Sequence, residues 1–373
     1  MKKFFVFAIA AATMAVGCQK IQDLVRPGND NVTEDEYAAY PVTFGTNVAT
    51  VSTKAAIENV NGLAQDSIFV YGINNEDKEL LVEKYKIETP LATENQIENV
   101  YYGANKETYS FYGYYAGDLK TTPTYADGVI TVPVAITGQE DLMIGLTNKN
   151  TDLTNKPDNG KTVDIADLYS AKSARRGVKP NLVFNHQLVR FDFNFTDGSE
   201  LDPDGEESVW IEKLDITTVA AGNLVITHDA TNPTGALVAT GAESTLSLGM
   251  LNTEWTDTEN AWTPLVKFGK DGQNLATGAG TIMVMPKADG EEQSYAVKLH
   301  LKQTGANAVA VQDLTLAMSG TDKFEAGKKY VVNIKVYGMQ AVIVDVTVND
   351  WVNGGSFEYD PDENDDPVFT PES

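Results

Sequence analysis

The chain has 373 residues, 22% of them charged, and a formal net charge of −25 at pH 7. That acidic balance argues against nucleic acid or anionic lipid as a partner, since both are bound through Lys and Arg. Cys18 is the only cysteine, so no disulfide can form within the chain; packing must hold the fold, and the length suffices for two ordinary cores.

Lys2 and Lys3 precede an apolar and small run from Phe4 to Val16, followed by Gly17 and Cys18. A basic start, a short apolar stretch and small residues before a cut describe an export signal over residues 1–18. The run is too short to span a bilayer, which takes about 20 apolar residues. Ala15–Val16–Gly17–Cys18 resembles a bacterial lipobox, with Ala15 where that pattern prefers Leu. Cys18 therefore reads as the acylated first residue of a lipoprotein. The alternative is an ordinary secretory cut near Gly17 that leaves a free thiol.

Residues 19–40 lack periodicity, carry Pro27–Gly28–Asn29–Asp30, and read as a flexible tether. Val42, Phe44, Thr46 and Val48 then alternate across Pro41–Val48, which predicts a half-buried strand. Ser67–Ile73 is the next strand. Tyr109–Tyr115 is aromatic on both parities, so a strand there is covered on both faces. Val129–Ile136 holds Pro133, which suits a sheet edge, and Asp141–Leu146 follows. The stretch from Thr147 to Pro180 is turn-rich, with one short helix candidate at Val163–Tyr169. It reads as a joint between domains.

In the second half, Leu182, Phe184, His186 and Leu188 share one parity, and Val189, Phe191, Phe193 and Phe195 share the other. A switch inside one apolar run predicts a bulge or strand break near Leu188–Val189. Further strands are expected at Trp210–Thr217, Asn223–Thr227, Ser244–Leu248, Gly280–Met285 and Ser294–Leu301. Tyr330, Val332, Ile334 and Val336, then Val342, Val344, Val346 and Val348, predict a hairpin turning near Gly338 and ending at Trp351. Short strands with little helical periodicity predict an all-β sandwich protein. The expected divisions are an N-terminal domain over 41–179, a C-terminal domain over 180–360 and an acidic, mobile tail over 361–373.

Little in the chain points to catalysis. Three histidines are present. His186 lies on a core parity, His228 has the look of a strand end, and His300 falls out of phase with Leu299 and Leu301 and is expected to be exposed. None has a second His or Cys at metal-ligand spacing, and no Gly-x-Ser-x-Gly turn supports a hydrolase triad. Asp202–Pro203–Asp204–Gly205–Glu206–Glu207 fails the EF-hand spacing and reads as a solvated turn. No cofactor or metal is expected. The tyrosines between Tyr101 and Tyr115 read as core, with Tyr101 and Tyr102 as a minority candidate for stacking on a sugar.

Several stretches, in order, resemble the Bacteroides fimbrillin family of type V pilins and Mfa-like subunits. They are the lipoprotein signal, Ser110–Phe111–Tyr112–Gly113–Tyr114–Tyr115, Asp141–Leu142–Met143, and Leu182–Val183–Phe184–Asn185–His186–Gln187–Leu188. The last runs from Phe324–Glu325–Ala326–Gly327–Lys328–Lys329–Tyr330 through the hairpin to Asp350–Trp351 and Gly354–Gly355.

The resemblance implies two tandem transthyretin-like (Ig-like, Greek-key) β-sandwiches, export to the outer membrane as a lipoprotein, and assembly into surface fimbriae with other fimbrial subunits. It also implies that a protease removes the first strand and that a strand from another subunit fills the exposed groove. Here the removable strand would be Val42, Phe44, Thr46 and Val48, and the cut would fall between Lys54 and Ala55. Family members usually carry Arg there, so Lys54 suits a trypsin-like cut. The donor would lie within Ala341–Val348, through Val342, Val344, Val346 and Val348, or after Trp351. The acidic tail makes a poor groove filler, which suits an accessory, tip or anchor subunit. The alternative is a lipid-anchored adhesin that binds a host or glycan receptor and does not polymerise.

Overall fold

The computed structural model describes residues 42, 67–76, 80–88, 101–102, 107–117, 119, 121–147, 169–174, 180, 182–227, 235–249, 265–272, 275–306, 308–318, 322–350, 356–358 and 368–370. Most described elements are strands. In chain order they are β1 (Ser67–Asn74), β2 (Leu80–Glu88), β3 (Tyr109–Tyr115), β4 (Thr124–Ala126), β5 (Val129–Ala135) and β6 (Met143–Thr147). One helical turn, α1 (Ala171–Ala174), precedes β7 (Leu182–His186), β8 (Val189–Asp197), β9 (Ser208–Val225), β10 (Ala236–Gly249), β11 (Val266–Gly269) and β12 (Leu275–Val284). The chain continues through β13 (Ser294–Gln303), β14 (Ala310–Ala317), β15 (Lys328–Tyr337), β16 (Gln340–Asp350), β17 (Ser356–Glu358) and β18 (Val368–Thr370).

These strands form three sheets. The first runs β18-β17-β7-β6-β3-β1-β2; the second runs β14-β13-β9-β5-β4, with β10 and β11 also on β9; the third runs β12-β8-β15-β16. Pairing is antiparallel except between β8 and β15, which run parallel. The all-β expectation therefore holds, with the sheets sharing one continuous core of buried apolar side chains.

Alternation sets most of these faces. Phe191, Phe193 and Phe195 of β8 and Tyr330, Val332, Ile334 and Val336 of β15 all point inward and are buried, because residues two apart share a face of a strand. The predicted parity switch is a strand break: β7 ends at His186, β8 starts at Val189, and the two lie in different sheets. Leu188 and Val189 are both fully buried, so an apolar run that changes parity is one that changes sheets. Pro133 stands on the part of β5 that β4 does not reach, since β4 pairs only with Val129–Thr131. Asp127 and Gly128, both at positive φ, make the tight β4–β5 turn.

β3 is covered on both faces as expected, with Tyr109, Phe111, Tyr114 and Tyr115 buried. Its Gly113 pairs with Gly145 of β6, and Gly145 pairs with Phe184 of β7. The Phe184 ring lies over both glycines, so a Cβ at Gly145 would sit 2.8 Å from its Cε1 and Cζ atoms. The Leu182–Leu188 stretch, through Phe184, and the Ser110–Tyr115 stretch thus meet in one packing unit.

Four aromatics close the other part of the core. Phe191 meets Phe324 at 5.0 Å and Tyr295 at 5.5 Å between ring centroids, and Phe324 meets Tyr330 edge-on at 4.8 Å. Tyr295 Oη donates to the Met285 carbonyl at 2.9 Å, and the Glu325 N–H donates to Tyr330 Oη at 2.9 Å. Burial drives the Tyr295 phenol well above its ordinary pKa, so it stays neutral and keeps its donor.

Candidate functional site

Of the predicted exchangeable strand, Val42 is described and is 2% exposed. Phe44, Thr46 and Val48 lie outside the described residues, as do Cys18, Lys54 and Ala55. The helix candidate at Val163–Tyr169 falls there too, apart from Tyr169; the helical turn that is described starts two residues later, at Ala171. In the predicted acidic tail, Val368–Thr370 forms β18 and pairs antiparallel with Ser356–Glu358.

The four valines of the candidate donor lie on β16, the edge of the four-stranded sheet. They do not share one face. Asn333 pairs with Asp345 and Ile334 with Ile343, which leaves Val344 as an extra residue in a bulge. Val346 and Val348 therefore align with the inward Val332 and Tyr330, although Val348 near the strand's end is 48% exposed, whereas beyond the bulge Ala341 and Ile343 take the inward places. Val342 and Val344 turn to solvent, at 47% and 61% exposed. An inserted residue exchanges the two faces of a period-two strand.

Val342 ends a row that crosses the whole sheet. Leu275 pairs with Thr196, Thr196 with Lys335, and Lys335 with Val342. Leu275 and Tyr337 are also large exposed hydrophobics, and Lys335 Nζ lies 5.6 Å from the Tyr337 ring centroid. Periodicity alone does not mark this patch. The available signal was Ala341 and Ile343, apolar on the parity opposite to the valines.

The histidines hold polar contacts within the fold. His186 Nδ1 lies 2.8 Å from Asp141 Oδ2, with both side chains buried where the chain passes from β7 to β8. His300 is only partly exposed, because Asp215 on the neighbouring strand meets it: its Nε2 is 2.9 Å from Asp215 Oδ2. Ser247 Oγ donates to Asp215 Oδ1 at 2.6 Å, and Lys213 Nζ lies 3.0 Å from Oδ2. This row spans β10, β9 and β13. A carboxylate in the centre, with serine and histidine on opposite sides of it, cannot pass a proton from serine to imidazole as a hydrolase triad does. His228 lies outside the described residues.

Burial alone would raise the Asp215 pKa, but the hydrogen bonds from Ser247 and Lys213, the Lys213 charge and the His300 contact together hold it below the ordinary value. A folded-state value below the unfolded one stabilises the fold above the unfolded pKa, about 3.9 for Asp, and that contribution is lost as pH falls through the folded value. Replacing Asp215→Asn is therefore expected to lower the urea midpoint at pH 7 and pH 5. The gap to the parent should narrow below about pH 4, near the ordinary Asp pKa. A gap that stays constant to pH 2 would show that the Asp215 charge is not the source.

Asp202–Glu207 is a turn, as expected: the Gly205 N–H donates to the Asp202 carbonyl, and the Asp204 N–H to Asp202 Oδ1 at 3.0 Å. Among the described residues no three His, Cys, Asp or Glu side chains gather where a metal would be held. Tyr101 is 46% exposed, whereas Tyr102 is buried against Tyr109 and Phe111. Tyr102 is thus core and not part of a sugar platform.

The fimbrillin-like family profile matches residues 53–351. This chain belongs to that family. The family is one of non-enzymatic structural and adhesion proteins, and this fimbrillin-like chain is not an enzyme. Among solved structures it is similar to a candidate cell adhesion protein from Bacteroides uniformis, at 18% identity over 85% of this chain and 100% of that one, with a TM-score of 0.41. A candidate cell adhesion protein from Parabacteroides distasonis is similar at 13% identity over 84% and 96%, with a TM-score of 0.45. The fimbrial anchor protein Mfa2 from Porphyromonas gingivalis is similar at 9% identity over 83% and 98%, with a TM-score of 0.35. No curated protein matches the sequence.

Proposed function

We propose that this fimbrillin-like chain is a cell-surface fimbrial subunit, exported as a lipoprotein acylated at Cys18 and assembled by strand exchange. The observation that carries the reading is the family match over residues 53–351. Its start falls beside the predicted cut between Lys54 and Ala55, and the predicted first strand lies ahead of it. Burial of Val42 supports the same reading, because removing a segment that carries a buried apolar residue exposes apolar surface for a partner strand. On this reading the chain builds two transthyretin-like sandwiches, and the partners are other fimbrial subunits. The strands of the sandwiches interleave across residue 180, since β7 and β17 join β6 in the first sheet and β5 joins β9 in the second. The subunit is an accessory, tip or anchor component rather than a shaft repeat.

Two segments compete as donor. β16 is held along its length by β15, from Lys328–Asp350 to Tyr337–Gln340, and turns Ile343 toward the core. β17 spans only three residues and pairs with two of β7. Fewer ladder bonds must break to release β17, which favours the segment after Trp351. The exposed patch of Leu275, Tyr337, Val342 and Val344 favours a second reading, a lipid-anchored adhesin that meets a receptor without polymerising.

Negative-stain microscopy before and after limited trypsin treatment separates the readings. Filaments are expected only after cleavage, with Ala55 as the new N-terminus, and Lys54→Gln should prevent both. Particles that remain monomeric after a verified cut at Lys54 would exclude strand-exchange assembly and leave the adhesin reading.

A further inference from the structure

We infer that the two ends of the molecule form one mechanical body, laced together by four passages of the chain, with the β9–β10 ribbon as its strap. Two domains joined by a linker move independently by default. The described strands are arranged otherwise. The chain passes from the first sheet to the third between β7 and β8, and returns from the third to the first between β16 and β17. Between those passages β9 and β10 each run from one end of the second sheet to the other.

The second sheet is therefore a wall common to both ends. Near its start β9 pairs with β11 on one side and with β13 on the other, at Ser208–Ile211 and Val209–Ile216. Near its finish the same strand pairs with β5, a strand from the first half of the chain, at Ala221–Val225. β10 accompanies it over almost the whole length, from Val225–Ala236 to Lys213–Gly249. At one end of β10 the Gly235 backbone lies against Ile144 of β6; at the other, Leu248 lies against Gly280 of β12, and Leu246 and Ile282 both approach Gly138 between β5 and β6.

Unfolding either end thus strips part of β9 and β10 of the partners that hold their register at the other. Between Ile216, where the β13 pairing stops, and Ala221, where the β5 pairing starts, the ribbon narrows to β9 and β10 alone at Thr217–Val219, opposite the exposed Glu243–Thr245 of β10. A two-stranded ribbon alone is marginally stable, so its pairing depends on both packed ends at once. Tension along the ribbon loads its ladder in parallel rather than one bond at a time. Use of that strength at the cell surface rests on the fimbrial reading; the cooperativity itself does not, and its test is independent of assembly.

The four tryptophans, Trp210, Trp255, Trp262 and Trp351, all lie at or beyond residue 210, so fluorescence reports on the part of the chain from β9 onward. Val132→Ala and the milder Ile130→Val disturb buried positions of β5, which belongs to the other end. In the full mature chain, both changes are expected to lower the tryptophan-detected urea midpoint by the same amount as the midpoint from circular dichroism. Pulled from its termini, a single molecule should open in one step with a length gain on the order of 100 nm, at about 3.5 Å per residue. Two resolved steps, or a tryptophan transition that stays in place while the dichroism transition shifts, would overturn the inference.

Discussion

Phe191→Ala is expected to lower the unfolding free energy by about 3–5 kcal/mol, the usual cost of truncating a buried phenylalanine. Phe191 is fully buried and its ring touches Phe193, Tyr295, Phe324 and Tyr330. Those neighbours come from β8, β13, the approach to β15 and β15 itself, so collapse around the cavity would have to move three strands. Tyr295 and Tyr330 are also pinned by their hydroxyl hydrogen bonds, which limits relaxation further. Urea unfolding at constant m-value measures the loss. A loss under about 1 kcal/mol would mean that the four rings are replaceable filler rather than a keystone cluster.

Gly145→Ala should cost about 1–3 kcal/mol, the range for overpacking a filled core. The added Cβ meets the Phe184 ring at 2.8 Å and the Gly113 Cα at 3.2 Å. The ring cannot swing away, because Phe184 is fully buried. A smaller side chain opposite should relieve the clash, so Phe184→Leu in the Gly145→Ala background is expected to cost less than in the parent. A double-mutant cycle measures this coupling. Strictly additive losses would show that the ring and the glycine do not press on one another.

Strand positions in this chain were legible wherever side chains alternate strongly. Tyr109–Tyr115, Val129–Ala135 and the β15–β16 hairpin fall where the pattern places them, since β5 and β15 each bury one parity of bulky residues and β3 carries buried aromatics on both. β9 was less legible. Its two apolar ends read as separate strands because Thr218–Val219–Ala220–Ala221–Gly222 between them carries little hydrophobic signal. Those residues are strand because β10 and β5 hydrogen-bond to them, and a ladder needs backbone rather than bulk. β14, with Gln312 and Asp313, and the three-residue β4 and β17 lack a pattern long enough to read.

The candidate site divides in the same way. Cys18, Lys54 and the strand at Pro41–Val48 lie mostly outside the described residues and stay sequence expectations, whereas the β-branched run at Val342–Val348 is a strand where the pattern places it. The facing and pairing of that run were not legible. Four alternating valines read as one stripe, yet a single extra residue opposite Asn333–Ile334 sends Val342 and Val344 outward and brings Ile343 inward.

By itself, then, the sequence determined the all-β class, most strand positions, the break at Leu188–Val189 and the family. Each of these follows from local periodicity or from residues in fixed order. Only the tertiary structure decided which strands share a sheet, where the bulge falls, and that β9 ties the first half of the chain to the second. Those features depend on which distant backbone groups satisfy one another's hydrogen bonds, and that choice is made between segments many residues apart, after the local pattern is already set.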